Sequence, residues 1–150
     1  MVQIRSRPRI FLDSDVVFAG SASPTEHGAS HVILRMGEIT LIECVVSDQV
    51  VTEVERNISS KLPDKLGVFR LIKERSLHVV RDPLPAELIQ FKGQADPKDL
   101  PILAASIRES CSRLLTFNLR HYHPASNQIV VQGPGDFLSS VRKMLSFVHM

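Results

Sequence analysis

Residues 10–18 read Ile-Phe-Leu-Asp-Ser-Asp-Val-Val-Phe, an apolar run that ends in a carboxylate and is followed by a second carboxylate two residues later. The run predicts a buried strand over about 9–12 and a short helix from Ser14. In open α/β sheets, ligands bind beyond the carboxyl ends of the strands, so Asp13 would supply a metal ligand or a nucleophile there. Alternatively, Asp13 or Ser14 caps the helix that follows. The stretch alone leaves both interpretations open.

Outward from this stretch, short apolar runs alternate with segments of helical period, which favours an α/β fold with a mainly parallel sheet. Further strands are predicted at about 40–46, 77–80, 114–116 and 129–131, and loops at 20–28 and 117–127. Gly37 is suited to the position after a helix end. Predicted helices cover about 14–19, 29–36, 48–61, 64–75, 86–91, 100–110 and 133–147.

The composition indicates one globular domain over residues 1–150, with 43% hydrophobic and 23% charged residues. Residues 1–8 are expected to be a flexible basic lead-in without the apolar core of a secretory signal. No apolar run approaches membrane-spanning length, so no membrane partner is expected. Cys44 and Cys111 lack partners at metal or redox spacing, which favours reduced, buried thiols and a cytoplasmic location. One Tyr and no Trp argue against a base-stacking platform.

Acidic residues recur where the predicted elements begin or end. Glu53 shares a helix face with Val50 and Val54, so it is expected to point inward, toward an arginine or a metal. Glu55 and Arg56 are predicted to be ordinary surface charges.

Two more acidic residues precede the helix at about 100–110. Capping explains one aspartate at 96 or 99, and explains two less well. Thr116 and Asn118 lie at the carboxyl end of the fourth strand, where Asn118 is either a turn residue or a residue that orients a water or a phosphate. His121 and His123 lie in a polar loop, and solvated histidines are favoured there over ligands or general acids.

Several carboxylates with no Cys or His at metal spacing describe a site for Mg²⁺ or Mn²⁺, which prefer oxygen ligands. Clustered carboxylates raise each other's pKa and cannot all stay ionised without a cation. One or two such ions would activate a water and neutralise charge on a phosphodiester.

Four segments, in this order, resemble the PIN-domain family: residues 11–17, 50–58, 96–105 and 114–119. The resemblance extends from about residue 9 to 131. It implies a three-layer α/β/α sandwich with a Rossmann-like sheet. It also implies a Mg²⁺- or Mn²⁺-dependent endoribonuclease that hydrolyses RNA. Many bacterial members are VapC-type toxins that pair with an antitoxin, often as homodimers.

The resemblance also assigns roles to residues. Asp13, Glu53 and Asp99 would be the catalytic metal ligands, with Asp96 as an additional or water-mediated ligand. The supporting or substrate-contacting residues would be Ser14, Asp15, Thr116 and Asn118. His121 stands where relatives often have Asp, and Asp15 where Asn is more usual, so we expect a weaker metal site than in the relatives.

Two other functions fit part of the pattern. In a haloacid-dehalogenase-type phosphatase, Asp13 would be the nucleophile and Asp15 the general acid, but the later acidic pair precedes Thr116, which is the wrong order. A PIN-like binding module without turnover would explain the missing carboxylate at His121. Inward carboxylates at 13, 53 and 99 argue against it.

Overall fold

The computed structural model describes residues 7–22, 28–125 and 127–148. In this part of the chain, five strands form one sheet of order β3-β2-β1-β4-β5, in which every pairing is parallel. The α/β prediction is therefore confirmed. The strands are β1 (Arg9–Leu12), β2 (Glu43–Ser47), β3 (Leu77–Val80), β4 (Arg113–Leu115) and β5 (Val130–Gln132).

Helices cover both faces of this sheet. The chain passes from β1 to β2 to β3 in one direction and then returns past β1 to β4. Because parallel crossovers are right-handed, the helices before and after β3 lie on opposite faces. The first group contains α1 (Ser14–Ala22), α2 (Ala29–Glu38), α3 (Asp48–Lys61) and α4 (Leu66–Ser76). The second group contains α5 (Pro85–Leu88) and α6 (Leu100–Arg108).

The last helix, α7 (Pro134–Val148), contacts α2 and so joins the first layer, while α6 contacts β2 and β4 from the other face. Short 3₁₀ turns occupy Pro63–Lys65, Ile89–Phe91 and Leu119–His121. The result is the expected three-layer α/β/α sandwich. None of the helices in residues 7–22, 28–125 and 127–148 combines the length and apolarity that crossing a bilayer requires.

The core is centred on β1. Phe11 and Leu12 are fully buried, as expected for a central strand that is covered on both faces. β1 pairs with β2 on one side and β4 on the other, so the carboxyl end of β1 lies in the middle of the row of strand ends. The backbone N–H of Asp13 continues this pairing by donating to the carbonyl of Leu115, at 3.0 Å.

Two glycines lie inside the first two helices and not after them, so the helix ends predicted at Gly20 and Gly37 are wrong. Gly20 lies inside α1, where a Cβ would come within 2.5 Å of Leu34 and 3.2 Å of the Ser30 backbone, so this glycine allows α1 and α2 to approach closely. Gly37 lies inside α2 rather than after it. Thr40 instead adopts the left-handed conformation, with φ of 66°.

The end of α2 is a Schellman motif. The N–H of Thr40 donates to the Gly37 carbonyl, and the N–H of Leu41 donates to the Met36 carbonyl. Consequently β2 begins at Glu43, three residues later than the β-branched pattern suggests. Residues 1–6 of the predicted lead-in at 1–8, and residues 23–27 of the predicted loop at 20–28, lie outside the described residues.

Candidate active site

A cleft of about 620 Å³ opens at the carboxyl ends of β1 and β2. Its lining brings together residues from α1, α3, the segment before α6 and the segment after β4. The charged and titratable residues that line it are Asp13, Asp15, Glu53, Asp82, Asp99, Arg56, Lys98 and His121. The position agrees with the rule that ligands bind beyond the carboxyl ends of parallel strands.

Asp13 is 5% exposed, and both of its carboxylate oxygens are hydrogen-bonded. Oδ2 accepts from the hydroxyls of Tyr122 at 2.7 Å and Thr116 at 3.0 Å, and Oδ1 accepts from the backbone N–H of Ser14 at 2.8 Å. Burial raises the pKa of Asp13 and the charge of Glu53 adds to this, while the three hydrogen bonds oppose it. Asp13 is therefore a buried carboxylate held in one orientation.

Glu53 points inward, as its helix face predicts. The Ser14 hydroxyl donates to Oε2 at 3.0 Å, and the Gln49 amide donates to Oε1 at 2.8 Å. The same Gln49 amide also donates to the carbonyl of Lys98 at 3.1 Å, which ties α3 to the segment before α6. Among the described residues, no lysine or arginine forms an ion pair with Glu53.

Asp99 precedes α6, but its side chain makes no capping hydrogen bond. Oδ2 of Asp99 lies 3.1 Å from Nδ1 of His121, and Oδ2 of Asp96 lies 3.7 Å from the same nitrogen. Burial raises the pKa of Asp99, with a smaller contribution from the charge of Asp13. The favoured interpretation of His121 as a solvated side chain is wrong, since its side chain is only 22% exposed and faces two carboxylates. His123 is exposed, as expected.

Asp15 connects α1 to the segment after β4. Its Oδ2 accepts from the Phe117 N–H at 3.0 Å and from the Asn118 amide at 3.0 Å. The Thr116 hydroxyl lies 3.4 Å from the same oxygen. Burial, followed by the charge of Asp13, raises the pKa of Asp15 to about 6. Its Oδ1 is buried and has no hydrogen-bond partner among the described residues.

The structure adds residues that the sequence patterns did not select. Tyr122 is 5% exposed. A buried tyrosine hydroxyl normally has a polar partner, so the burial of Tyr122, once known, points to such a partner. Gln49 and Arg56 lie four residues before and three after Glu53, so helical spacing already places them on one face. The prediction that Arg56 points away from this face is wrong, because it lines the cleft.

The carboxylate oxygens that line the cleft fit a divalent cation as ligands. Asp13, Glu53 and Asp99 line one cleft, and the oxygens of these carboxylates keep lone pairs beyond their hydrogen bonds. The buried, unpartnered Oδ1 of Asp15 adds a carboxylate oxygen that lacks a donor. No lysine or arginine ion pair compensates these carboxylates within the described segments.

The most compact group is not the predicted trio. Asp96, Asp99 and His121 each offer one ligand atom, and these atoms lie within 4.8 Å of one another. In the described part of the chain no other group of three or more such residues meets this spacing, so Asp13, Glu53 and Asp99 line the same cleft without meeting it together. The ligand roles of Asp13, Glu53, Asp96 and Asp99 therefore stay predictions.

Two solved structures match this chain, and the first of them shares its fold. VapBC2 from Rickettsia felis, bound to a DNA fragment from its promoter, matches with a TM-score of 0.59 at 13% identity, over 83% of this chain and 98% of that chain. VapC20 from Mycobacterium tuberculosis, a Sarcin-Ricin loop cleaving toxin, matches with a TM-score of 0.48 at 14% identity, over 70% of this chain and 86% of that chain. The sequence has no significant match among curated proteins.

The sequence also matches a family model. The model of the PIN domain covers residues 9–120, from β1 to the 3₁₀ turn after β4. All the predicted site residues lie inside this range, and the all-parallel sheet agrees with the fold that the resemblance implies. The chain therefore belongs to the PIN-domain family.

Proposed function

We propose that the protein is a divalent-metal-dependent nuclease that hydrolyses phosphodiesters in RNA as an endoribonuclease. The observation that carries the proposal is the convergence of Asp13, Glu53 and Asp99 on one cleft at the carboxyl ends of the strands. Membership of the PIN-domain family supports this reaction class.

In this proposal Asp13, Glu53 and Asp99 hold Mg²⁺ or Mn²⁺, and Asp96 is a further or water-mediated ligand. The bound ion would supply an activated water and neutralise charge on the phosphodiester. The chain's own residues keep the ligands in place. Tyr122 and Thr116 donate to Asp13, while Ser14 and Gln49 donate to Glu53.

Positive charge in the same cleft supports an RNA substrate. Arg56 lies on the α3 face that carries Glu53, and Lys98 precedes Asp99. We expect both side chains to contact phosphates on either side of the scissile bond, since Arg and Lys contacts to phosphates position a nucleic acid. Asp15 holds Asn118 at the rim, where Asn118 can contact the substrate.

The partners follow from the same family. We propose that the protein is the toxin of a toxin–antitoxin pair, with a protein antitoxin as partner and a homodimer as its working form. The fold shared with VapBC2 supports this assignment. We place the protein in the cytoplasm because Cys44 and Cys111 are free, buried thiols, which fit a reducing compartment.

The test is cleavage of mixed RNA with Mg²⁺ or Mn²⁺. We expect cleavage that EDTA abolishes and that Asp13→Asn and Glu53→Gln each abolish. Glu55→Gln is the matched control, because Glu55 lies on the same helix outside the cleft and pairs with Lys73. Cleavage that survives both EDTA and Asp13→Asn would refute the mechanism.

Two other outcomes would assign a different function. Hydrolysis of a small phosphomonoester with phosphate trapped on Asp13 would identify a phosphatase. RNA binding without cleavage, together with no metal binding by calorimetry, would identify a binding module.

A further inference from the structure

Three ligand atoms from two separate segments meet beside the cleft. Nδ1 of His121 lies 3.1 Å from Oδ2 of Asp99 and 3.7 Å from Oδ2 of Asp96. Protein ligands lie about 2.1 Å from Zn²⁺ or from a small divalent ion, so neighbouring ligand atoms on one ion are roughly 3.0–3.4 Å apart. The observed separations are close to this spacing before any ion draws the ligands together.

Neither helix capping nor pairing with a lysine or arginine accounts for this group of side chains. Asp99 occupies the N-cap position of α6 without a capping hydrogen bond from its side chain. Among the described residues, neither Asp96 nor Asp99 pairs with a lysine or an arginine, and His121 is the only basic side chain within 4 Å of either carboxylate. The side chain of His121 is mostly buried, so it is not a solvated surface histidine. The carboxylates and the imidazole are thus available to a ligand.

The backbone holds the two segments together independently of these side chains. Ala95 and Tyr122 form an antiparallel bridge. The N–H of Asp96 donates to the His121 carbonyl at 2.9 Å, and the N–H of His123 donates to the Gln94 carbonyl at 2.6 Å. Because main-chain bonds fix the register, His121 faces the two aspartates without needing the His–Asp contact to place it.

We propose that Asp96, Asp99 and His121 form a mixed oxygen–nitrogen site that selects a first-row transition ion over Mg²⁺. An imidazole nitrogen suits first-row ions such as Fe²⁺, Ni²⁺ and Zn²⁺, and Mn²⁺ and Co²⁺ belong to the same affinity series, whereas Mg²⁺ prefers oxygen ligands and keeps its waters. The site narrows the expected metal of the cleft from Mg²⁺ or Mn²⁺ to a transition ion. This inference rests on the proposed function only in the claim that the bound ion takes part in catalysis.

The test measures metal binding to the full chain without RNA. Calorimetry with Mn²⁺, Co²⁺ and Mg²⁺ alone is expected to show binding of Mn²⁺ and Co²⁺ at least about tenfold tighter than binding of Mg²⁺. Pulsed electron paramagnetic resonance of the Mn²⁺ complex is expected to show coupling to one imidazole nitrogen. This spectrum needs only the unsubstituted protein, so it does not depend on whether a variant folds.

Substitution of His121 tests whether its imidazole supplies the nitrogen that couples to Mn²⁺. His121→Asp is expected to abolish the nitrogen coupling and to shift the preference toward Mg²⁺, lowering the Mn²⁺/Mg²⁺ affinity ratio by about tenfold. His123→Asp is the matched control, because His123 is exposed two residues away, and it should leave coupling and ratio unchanged. Bound Mn²⁺ without nitrogen coupling, or a ratio unchanged in His121→Asp, would overturn the proposal and leave a His–Asp hydrogen bond only.

Failure of this inference and failure of the nuclease proposal give different results. Nitrogen-coupled Mn²⁺ in a protein that cleaves no RNA supports the site and refutes the nuclease. Metal-dependent cleavage with no nitrogen coupling refutes the site and supports the nuclease.

Discussion

The hydroxyl of Tyr122 donates a 2.7 Å hydrogen bond to Oδ2 of Asp13, which joins the segment after β4 to the tip of β1. Both residues are 5% exposed. Burial of an ionised carboxylate is unfavourable unless donors compensate it, and Tyr122 supplies one of three such donors. The buried tyrosine therefore helps to keep Asp13 in place at the cleft.

Removal of this donor is expected to weaken the fold. Tyr122→Phe keeps the ring and deletes only the hydroxyl, so the metal-free protein should lose about 1.5–3 kcal/mol of unfolding free energy, the usual range for a hydrogen bond to a charged group. Urea unfolding in EDTA measures the change. An unchanged midpoint and slope would show that the hydroxyl contributes nothing to holding Asp13.

The hydrogen bonds that hold Glu53 are expected to matter for metal affinity. Gln49→Ala removes the amide donor to Glu53 and the link to the Lys98 carbonyl. Loss of a partner that orients a ligand typically lowers metal affinity by about 10–100-fold. Calorimetry with Mn²⁺ measures this, with Gln90→Ala as control because Gln90 is exposed and does not line the cleft. Equal affinities in the two variants would contradict a positioning role for Gln49.

Gly37 is expected to be irreplaceable inside α2. A Cβ there would lie 2.8 Å from Sγ of Cys44 and 2.9 Å from the carbonyl oxygen of Ser76, and a backbone oxygen cannot move aside cheaply. Gly37→Ala should cost about 1–3 kcal/mol of unfolding free energy.

Gly67 in α4 provides the matched comparison. A Cβ at this position would meet nothing within 4 Å. Gly67→Ala should therefore stabilise the protein by about 0.5–1 kcal/mol, because alanine favours a helix over glycine. Thermal unfolding of both variants should give shifts of opposite sign, and shifts of the same sign would contradict the packing argument.

The buried thiols are expected to make the protein less stable at high pH. Burial raises the pKa of Cys44 and of Cys111 from the ordinary value of 9.0 to about 12. Between these values the unfolded chain loses thiol protons that the folded chain keeps, so the unfolding free energy is unaffected below pH 9 and falls as the pH rises toward 12.

The slope should reach about 1.4 kcal/mol per pH unit for each thiol. Urea unfolding between about pH 8 and pH 10.5 tests this against the double variant Cys44→Ala, Cys111→Ala, which should show a smaller slope. Equal slopes would mean that the thiols do not carry the effect.

The pattern of apolar and capping residues predicted those strands and helix starts that depend mainly on neighbouring residues in the sequence. The bounds of β1 and β3 agree with the predicted strands residue for residue. The side chain of Ser47 caps α3, accepting from the Val50 N–H at 3.5 Å, which agrees with the predicted start of this helix at 48, because serine is a favoured N-cap residue. The convergence of Asp13, Glu53 and Asp99 on one cleft was also predictable from the sequence. The carboxyl ends of parallel strands and the starts of the helices that follow them lie at the same end of the sheet.

Features that depend on distant contacts were not predicted. Gly20 and Gly37 allow close packing against other elements, and in sequence they cannot be distinguished from breakers. His121 and Tyr122 looked like a polar loop because their partners, Asp99 and Asp13, lie more than twenty residues earlier. The bridge between Ala95 and Tyr122 has no sequence signal of its own.

The central claim is that Asp13 belongs to a metal-dependent hydrolytic centre, and single-turnover cleavage of a labelled RNA tests it most directly. Saturating Mn²⁺ is present, and Asp13→Asn is compared with the unsubstituted protein. Asn has nearly the same shape as Asp and removes the charge of a buried carboxyl group whose pKa is raised, so the variant should fold at least as well as the unsubstituted protein. Cleavage by the variant should be slower by at least about 100-fold. A folded Asp13→Asn protein that cleaves the RNA at the unsubstituted rate would contradict the account.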